Sequence, residues 1–266
     1  MLVLQNISKT FNPGTINEKK ALDGLNLHLR PGDFVTVIGG NGAGKSTMLN
    51  ATAGVWPVDE GRIILDGEDI TALPEHKRAH LIGRVFQDPM MGTAPNMQLE
   101  ENLALAARRG QKRGLKWGVT NAEREEYHER LKILGLGLED RMTSKVGLLS
   151  GGQRQAVTLL MAVLRKPKLL LLDEHTAALD PGTAAKVLEL SDKIVQENNL
   201  TTLMITHNMK DAIRHGNRLI MMNEGHIILD IEGEEKKKLT KQQLIDMFAQ
   251  KGASIDSDEA LLTKGG

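Results

Sequence analysis

The stretch VTVIGGNGAGKSTML, Val35 to Leu49, decides the fold. It begins as an apolar, β-branched run of strand length and passes at once into glycines. Gly39 is followed by four residues and then by Gly44-Lys45-Ser46, the spacing of a phosphate-binding loop set between a strand and a helix. Each residue type has a physical reason. The glycines let backbone N–H groups turn inward around phosphate oxygens, and the helix N-terminus adds a partial positive charge. Lys45 supplies a full charge for the β and γ phosphates, and Ser46 a hydroxyl for Mg2+. The helix is expected to begin near Gly44 and to end before Gly54.

Working outward, residues 1–70 read as short strands separated by turns. LVLQNISKTF alternates, Pro31-Gly32 splits ALDGLNLHLRPGDFVTVIGG into two runs, and glycines bound GRIILDGEDI. From about residue 88 to 165 the pattern turns helical, with LEENLALAARRG and NAEREEYHERLKILGLG amphipathic. Beyond it, KLLLLDE and TTLMITH are strand-length apolar runs with the helical AAKVLELSDKIVQENN between them. RLIMMNEGHIILDI reads as a hairpin through Asn223-Glu224-Gly225. Strands interleaved with helices imply an α/β fold with a mainly parallel sheet, interrupted by an inserted helical subdomain at 88–165. EGEEKKKLTKQQLIDMFAQKG reads as a charged linker and one more helix, and the last residues as a frayed tail.

Composition narrows the function classes. The chain has 266 residues, with Lys+Arg and Asp+Glu both 34, a balance that argues against a general nucleic-acid binder. There are no cysteines, which excludes disulfides, thiolate zinc sites and iron–sulfur clusters. MLVLQNISKTF lacks the basic and apolar regions of a signal peptide, and no run approaches the roughly 18 apolar residues of a membrane span. The expectation is a cytoplasmic chain that works at a membrane, if at all, through a partner. The basic cluster RRGQKRGLK at 108–116 reads as a solvated loop, with acidic lipid head groups or a partner as its other reading.

Three further features carry chemistry. KLLLLDEHTAALD puts Asp173 and Glu174 at the end of an apolar strand, and in a parallel sheet ligands bind at the carboxyl ends of strands. Asp173 is expected to face Mg2+ through a water and Glu174 to act as general base on the attacking water. His207, after LMIT, and Gln87, after GRVF, each end an apolar run in the same way. A histidine there can donate to a γ-phosphate oxygen, and a glutamine can touch Mg2+ or the water. LLSGGQRQAV, Leu148 to Val157, then opens a second helix with a second glycine turn, Ser150-Gly151-Gly152-Gln153.

Taken together these motifs resemble the ATP-binding cassette (ABC) ATPases over roughly residues 1–232. The resemblance rests on Gly39–Thr47, Gln87, LSGGQ at Leu149–Gln153, LLLLDE at Leu169–Glu174, ALD at Ala178–Asp180, and His207. It implies a phosphate-loop core, an N-terminal antiparallel β subdomain, and a domain spanning 1–232 with the remainder, 233–266, outside it. It implies ATP and Mg2+ as ligands: Gly39, Asn41, Gly42, Ala43, Gly44, Lys45, Ser46 and Thr47 for phosphate, and Ser46, Gln87 and Asp173 for the metal. It also implies a homodimer paired head to tail, in which Ser150, Gly151, Gly152 and Gln153 of one chain close over the nucleotide of the other and Asp180 lies at the centre. Phe11 sits where the family often stacks an aromatic ring on adenine, with core packing as its other reading. Met90, Met91 and Met97 fall where the family docks a membrane partner, again with core packing as the alternative.

One departure is visible: His175 follows the Asp-Glu pair where the family commonly has proline, which implies a less constrained turn. A separate cassette without a membrane span is similar to the subunits of bacterial uptake systems, which power a permease and work with an extracytoplasmic binding protein. The stretches MMGTAPNM and LLDEHTAALDP look similar to a group paired with permeases for amino-acid-like or other small solutes. An exporter or lipid-handling complex would use identical chemistry. A soluble ATPase acting on DNA or ribosomes lacks support, because the chain has one cassette and neither coiled coil nor zinc hook.

Overall fold

The computed structural model describes residues 1–111 and 118–250. The strands are β1 (Leu2–Phe11), β2 (Lys19–Leu29), β3 (Phe34–Ile38), β4 (Glu60–Leu65), β5 (Glu68–Asp69), β6 (Ile82–Val85), β7 (Leu169–Asp173), β8 (Thr202–Ile205), β9 (Arg218–Asn223) and β10 (His226–Glu232). The helices are α1 (Lys45–Ala53), α2 (Glu75–Arg78), α3 (Leu99–Ala107), α4 (Asn121–Lys132), α5 (Gly151–Val163), α6 (Pro181–Asn198), α7 (Met209–Arg214), α8 (Gly233–Lys238) and α9 (Lys241–Gln250). Most of the basic cluster at 108–116, and the C-terminal tail, lie outside the described residues. The chain forms two units, Met1–Arg78 with the segment from Asn199 onward, and Ala79–Asn198.

In the first unit, β1 pairs antiparallel with both β2 and β4, and β4 with β5. A second sheet centres on β3, whose five residues are all buried, as a strand covered on both faces must be. β8 and β9 flank β3 in parallel, in register Phe34 to Thr202 and Val35 to Arg218, and β10 returns antiparallel to β9. The β9–β10 hairpin turns at Glu224 and Gly225, φ 46° and 81°, the pair of positive φ angles that a tight two-residue turn needs. Ile38, Leu219 and Met221 pack with Met209 and Ala212 of α7 and with Leu244 and Phe248 of α9 in one apolar cluster. α1 begins and ends where its glycines place it, closed by Gly54 at φ 84°.

The segment expected as a linker is helical at α8, and Lys236 anchors it. Its side chain is buried, 2% exposed, and its ammonium donates to Thr36 Oγ1 at 3.3 Å, Gly216 O at 3.1 Å, Arg218 O at 3.4 Å and His215 O. A charge this deep is tolerable only when oxygens surround it, and here backbone carbonyls do so.

The second unit carries β6 and β7, paired in parallel in register Ile82 to Leu169, with α3, α4, α5 and α6. It is wider than the helical run at 88–165, because both strands and α6 belong with it. Three of its helices start on reciprocal capping boxes: Gln98 with Glu101, Thr120 with Glu123, and Ser150 with Gln153. Glu100, buried, takes two bonds from the Arg124 guanidinium at 2.7 and 2.8 Å, which joins α3 to α4. The Arg124 bonds hold the Glu100 carboxyl below its ordinary pKa.

Candidate functional site

The first unit gathers the phosphate loop, His207 and Phe11. β3 delivers Gly39 at its carboxyl end, and the loop closes on α1. Two glycines are obligatory on steric grounds. A Cβ at Gly39, φ 151°, would stand 2.2 Å from Met222 O, and one at Gly44, φ 98°, 2.5 Å from Ala21 O. Lys45 is buried, 5% exposed, and its ammonium donates to Gly39 O at 2.6 Å and Gly40 O at 2.9 Å. Its own loop therefore holds the charge over the backbone. Asn41, Gly42 and Ser46 are exposed, Thr47 is half-buried, and Ala43 is buried.

His207 reaches the same edge through β8. The Thr206 amide donates to Val37 O at 3.1 Å, which places the following histidine level with the start of the phosphate loop. Phe11 ends β1 opposite Lys19 of β2. It is half-buried rather than a core residue, and its ring meets Trp56 edge to face at 4.9 Å between centroids. Lys19 and Trp56 escape the sequence reading. A Cβ at Gly42 would lie 2.7 Å from the Lys19 ammonium, so a second cation stands beside the loop. Neither residue carries a local signal; the β1–β2 pairing brings Lys19 there.

The second unit gathers Gln87, Asp173, Glu174, the Ser150 turn and Asp180. β6 and β7 run parallel with Val85 opposite Leu172, so Gln87 and the acidic pair leave the same edge. Glu174 has φ 46°, a left-handed backbone that costs a non-glycine residue about 1 kcal/mol. The Arg84 guanidinium lies 3.3 Å from Asp173 Oδ2 and 4.5 Å from the Phe86 ring centroid. No motif marks Arg84, because its role depends on the strand pairing.

His175 corrects the expectation of a loose turn. It is 2% exposed, and its Nε2 lies 3.0 Å from Ser191 Oγ on α6. The single hydroxyl proton of Ser191 goes to Val187 O at 2.8 Å, so the imidazole Nε2–H is the donor. The residue after Glu174 is thus tied to a helix, by a hydrogen bond where a proline would use its ring.

Ser150 caps α5. Its hydroxyl accepts from the Gln153 amide at 3.3 Å, and Gln153 Oε1 accepts from the Ser150 amide at 3.1 Å. Gly151 and Gly152 follow as the first helical residues, where N–H groups have no acceptor within the helix. A Cβ at Gly152 would meet Thr183 Cγ2 at 2.1 Å, so this glycine also serves the close approach of α5 to α6. Asp180 caps α6, accepting from the Thr183 amide at 3.0 Å, and the hydrogen bonds from Thr183 depress its pKa. Met91 is 70% exposed and Met90 40%, with the exposed Leu148 in the same unit; Met97 is half-buried.

Ser46 of the first unit carries an exposed hydroxyl, and Asp173 of the second a partly buried carboxylate. Among the described residues no three His, Cys, Asp or Glu side chains gather into an all-protein metal cage. Among the described residues no helix is long and apolar enough to cross a membrane.

Comparison with known proteins identifies the family. The model of the ABC transporter family matches residues 22–177. A tyrosine transport ATP-binding protein of Clostridioides difficile is 45% identical over 93% of this chain and 98% of its own length. The methionine import ATP-binding protein MetN of Corynebacterium diphtheriae is 34% identical over 98% of this chain and 76% of its own. Among solved structures, the dimeric, post-hydrolysis ATP-binding cassette MJ0796 with ADP and Pi superposes with a TM-score of 0.74 at 31% identity, over 87% of this chain and 98% of that one. The α/β cassette fold expected from the sequence is the fold these structures share. The chain belongs to the ABC transporter family, as an ATP-binding and ATP-hydrolysing subunit.

Proposed function

We propose that this chain energises the uptake of an amino-acid-type solute through a separate membrane permease, to whose inner face it binds. The observation that carries the reading is the match to the tyrosine transport protein along 98% of that protein's length, with the phosphate loop, the acidic pair and the LSGGQ turn all present here. The working unit is a head-to-tail homodimer, supported by the dimeric state of MJ0796 with ADP and Pi. An extracytoplasmic binding protein delivers the solute.

Each residue has a role. The amides of Gly39–Thr47 and the Lys45 ammonium hold the β and γ phosphates. Phe11 offers its ring to adenine. Ser46, Gln87 and Asp173 are the oxygen donors for Mg2+, which when bound neutralises phosphate charge. Glu174 takes a proton from the attacking water, a contribution of roughly 10²–10⁴-fold. His207 donates to the γ-phosphate. The Gly151 and Gly152 amides of the partner, with Ser150, contact the charge that hydrolysis removes, and Asp180 positions groups near the dimer centre. Closure is therefore favoured by ATP and weakened once phosphate leaves. Met90 and Met91 supply an adaptable apolar surface for the permease.

The test is a pull-down of the full chain from gently solubilised native membranes. Recovery of a polytopic permease with a solute-binding protein is the expected result. Recovery of an exporter, or of ribosomal or DNA-associated proteins alone, would overturn the uptake reading and leave the ATPase chemistry standing.

A further inference from the structure

The segment that carries Gln87 is held to the helix that begins at Ser150 by three consecutive contacts, all within the second unit. Gln155 of α5 is fully buried, 0% exposed, and its side-chain amide donates to the Phe86 carbonyl at 3.1 Å, one peptide before Gln87. Arg154 donates to the Met90 sulfur. Gly92 lies so close to α5 that a Cβ there would stand 2.5 Å from Thr158 Cγ2. Gln155 and Thr158 are three apart and share one helix face, so a single stripe of α5 grips residues 86–92.

The other end of the Gln155 amide is unusual. Its Oε1 is buried and has no hydrogen-bond partner among the described residues. Buried side-chain oxygens are rarely left unpaired, and an apolar side chain of similar length would fill the space without that penalty. The residue is nonetheless an amide, and among the described residues its side chain bonds to the backbone beside Gln87.

We propose that Gln155 is a positioning residue that ties Gln87 to the LSGGQ helix, so that seating of the Ser150 turn on a nucleotide sets the Gln87 position in the same chain. The inference rests on the proposed roles of Gln87 and Ser150. The tie is mechanical: α5 is one rigid element, its first turn meets the nucleotide of the partner, and its second turn holds the Phe86–Gln87 peptide. Displacement of one end displaces the other.

The test is a double-mutant cycle on the full chain with Gln155→Met, Gln87→Ala and both together. Methionine keeps the length and apolar body of glutamine and removes the donor. The expected result is a fall in kcat for ATP hydrolysis of about tenfold in Gln155→Met, with KM for ATP–Mg2+ and the thermal midpoint unchanged. The double variant is then no more than about twofold slower than Gln87→Ala. Gly92→Ala, which pushes the same segment off α5 without removing a polar group, lowers kcat in the same way. A wild-type rate in Gln155→Met overturns the coupling, as does a further tenfold loss in the double variant. A wild-type rate in Gln87→Ala also overturns it, by removing what Gln155 acts through. Measured alongside, Glu174→Gln separates the two levels: its inactivity keeps the ATPase reading standing whatever the cycle shows.

Discussion

Arg78 gives the sharpest stability prediction. Its guanidinium is 2% exposed and donates four bonds to backbone carbonyls of the first unit. Nη1 reaches Ala51 O at 2.8 Å and Thr52 O at 2.9 Å, Nη2 reaches Thr71 O at 2.8 Å, and Nε reaches Leu73 O at 2.8 Å. Two of these acceptors, Ala51 and Thr52, lie in the last turn of α1, where a cation also meets the negative end of the helix dipole. Burial holds the Arg78 pKa below its ordinary value, but a guanidinium stays charged at any working pH. In Arg78→Met the four carbonyls lose a charged donor, each worth about 1–3 kcal/mol when left unpaired. Ala51 O keeps the Gly54 amide at 3.1 Å, and methionine escapes the desolvation cost of a buried cation. The net loss is therefore about 3 kcal/mol, or a fall in melting temperature of about 6–12 °C. Arg78→Lys keeps the charge without the planar fork and loses about half as much. Urea unfolding of the full chain with and without ADP–Mg2+ is the assay. The nucleotide increment, about 2.7 kcal/mol at a hundredfold excess over Kd, persists in both variants, because the damage lies at the far end of α1 from the phosphate loop. A loss below about 1 kcal/mol in Arg78→Met would refute the reasoning.

Two further outcomes follow from buried polar groups. His175→Ala leaves Ser191 without its donor and opens a small cavity, for a loss of about 2–3 kcal/mol in chemical denaturation, and hydrolysis falls with it because Glu174 loses its anchored neighbour. Asp33, 4% exposed, is pushed up by burial, but bonds from the Arg30 amide, Asn217 and the Arg30 guanidinium outweigh this and depress its pKa. A depressed carboxylate contributes stability above its unfolded pKa of about 3.9, and that stability is lost as pH falls through the folded value. Thermal midpoints are thus expected to fall below about pH 4 in the wild type and to fall less steeply in Asp33→Asn, which starts lower.

What could be read from the chain in advance was whatever is local. Gly39, Gly44 and Gly54 set the loop and both ends of α1, because each needs its own backbone geometry. Ser150 with Gln153 announces a helix start three residues apart, and Asn223-Glu224-Gly225 announces a hairpin. What stayed hidden depends on distant partners. Lys236 reads as part of a charged linker, yet it is buried, with oxygens of β3 and β9 around its ammonium. His175 reads as a loosened turn, yet Ser191 on the next helix anchors it. Arg84, Lys19 and Gln155 acquire their places only when strands pair and helices pack, and no spacing in the sequence encodes that.

The most direct test of the central claim is sedimentation of Glu174→Gln with ATP and Mg2+. The account predicts a stable species of twice the chain mass, with hydrolysis at least about 100-fold below wild type, while the wild type cycles back to monomer as it consumes ATP. A variant that hydrolyses ATP at the wild-type rate, or that stays monomeric at saturating ATP, would contradict it.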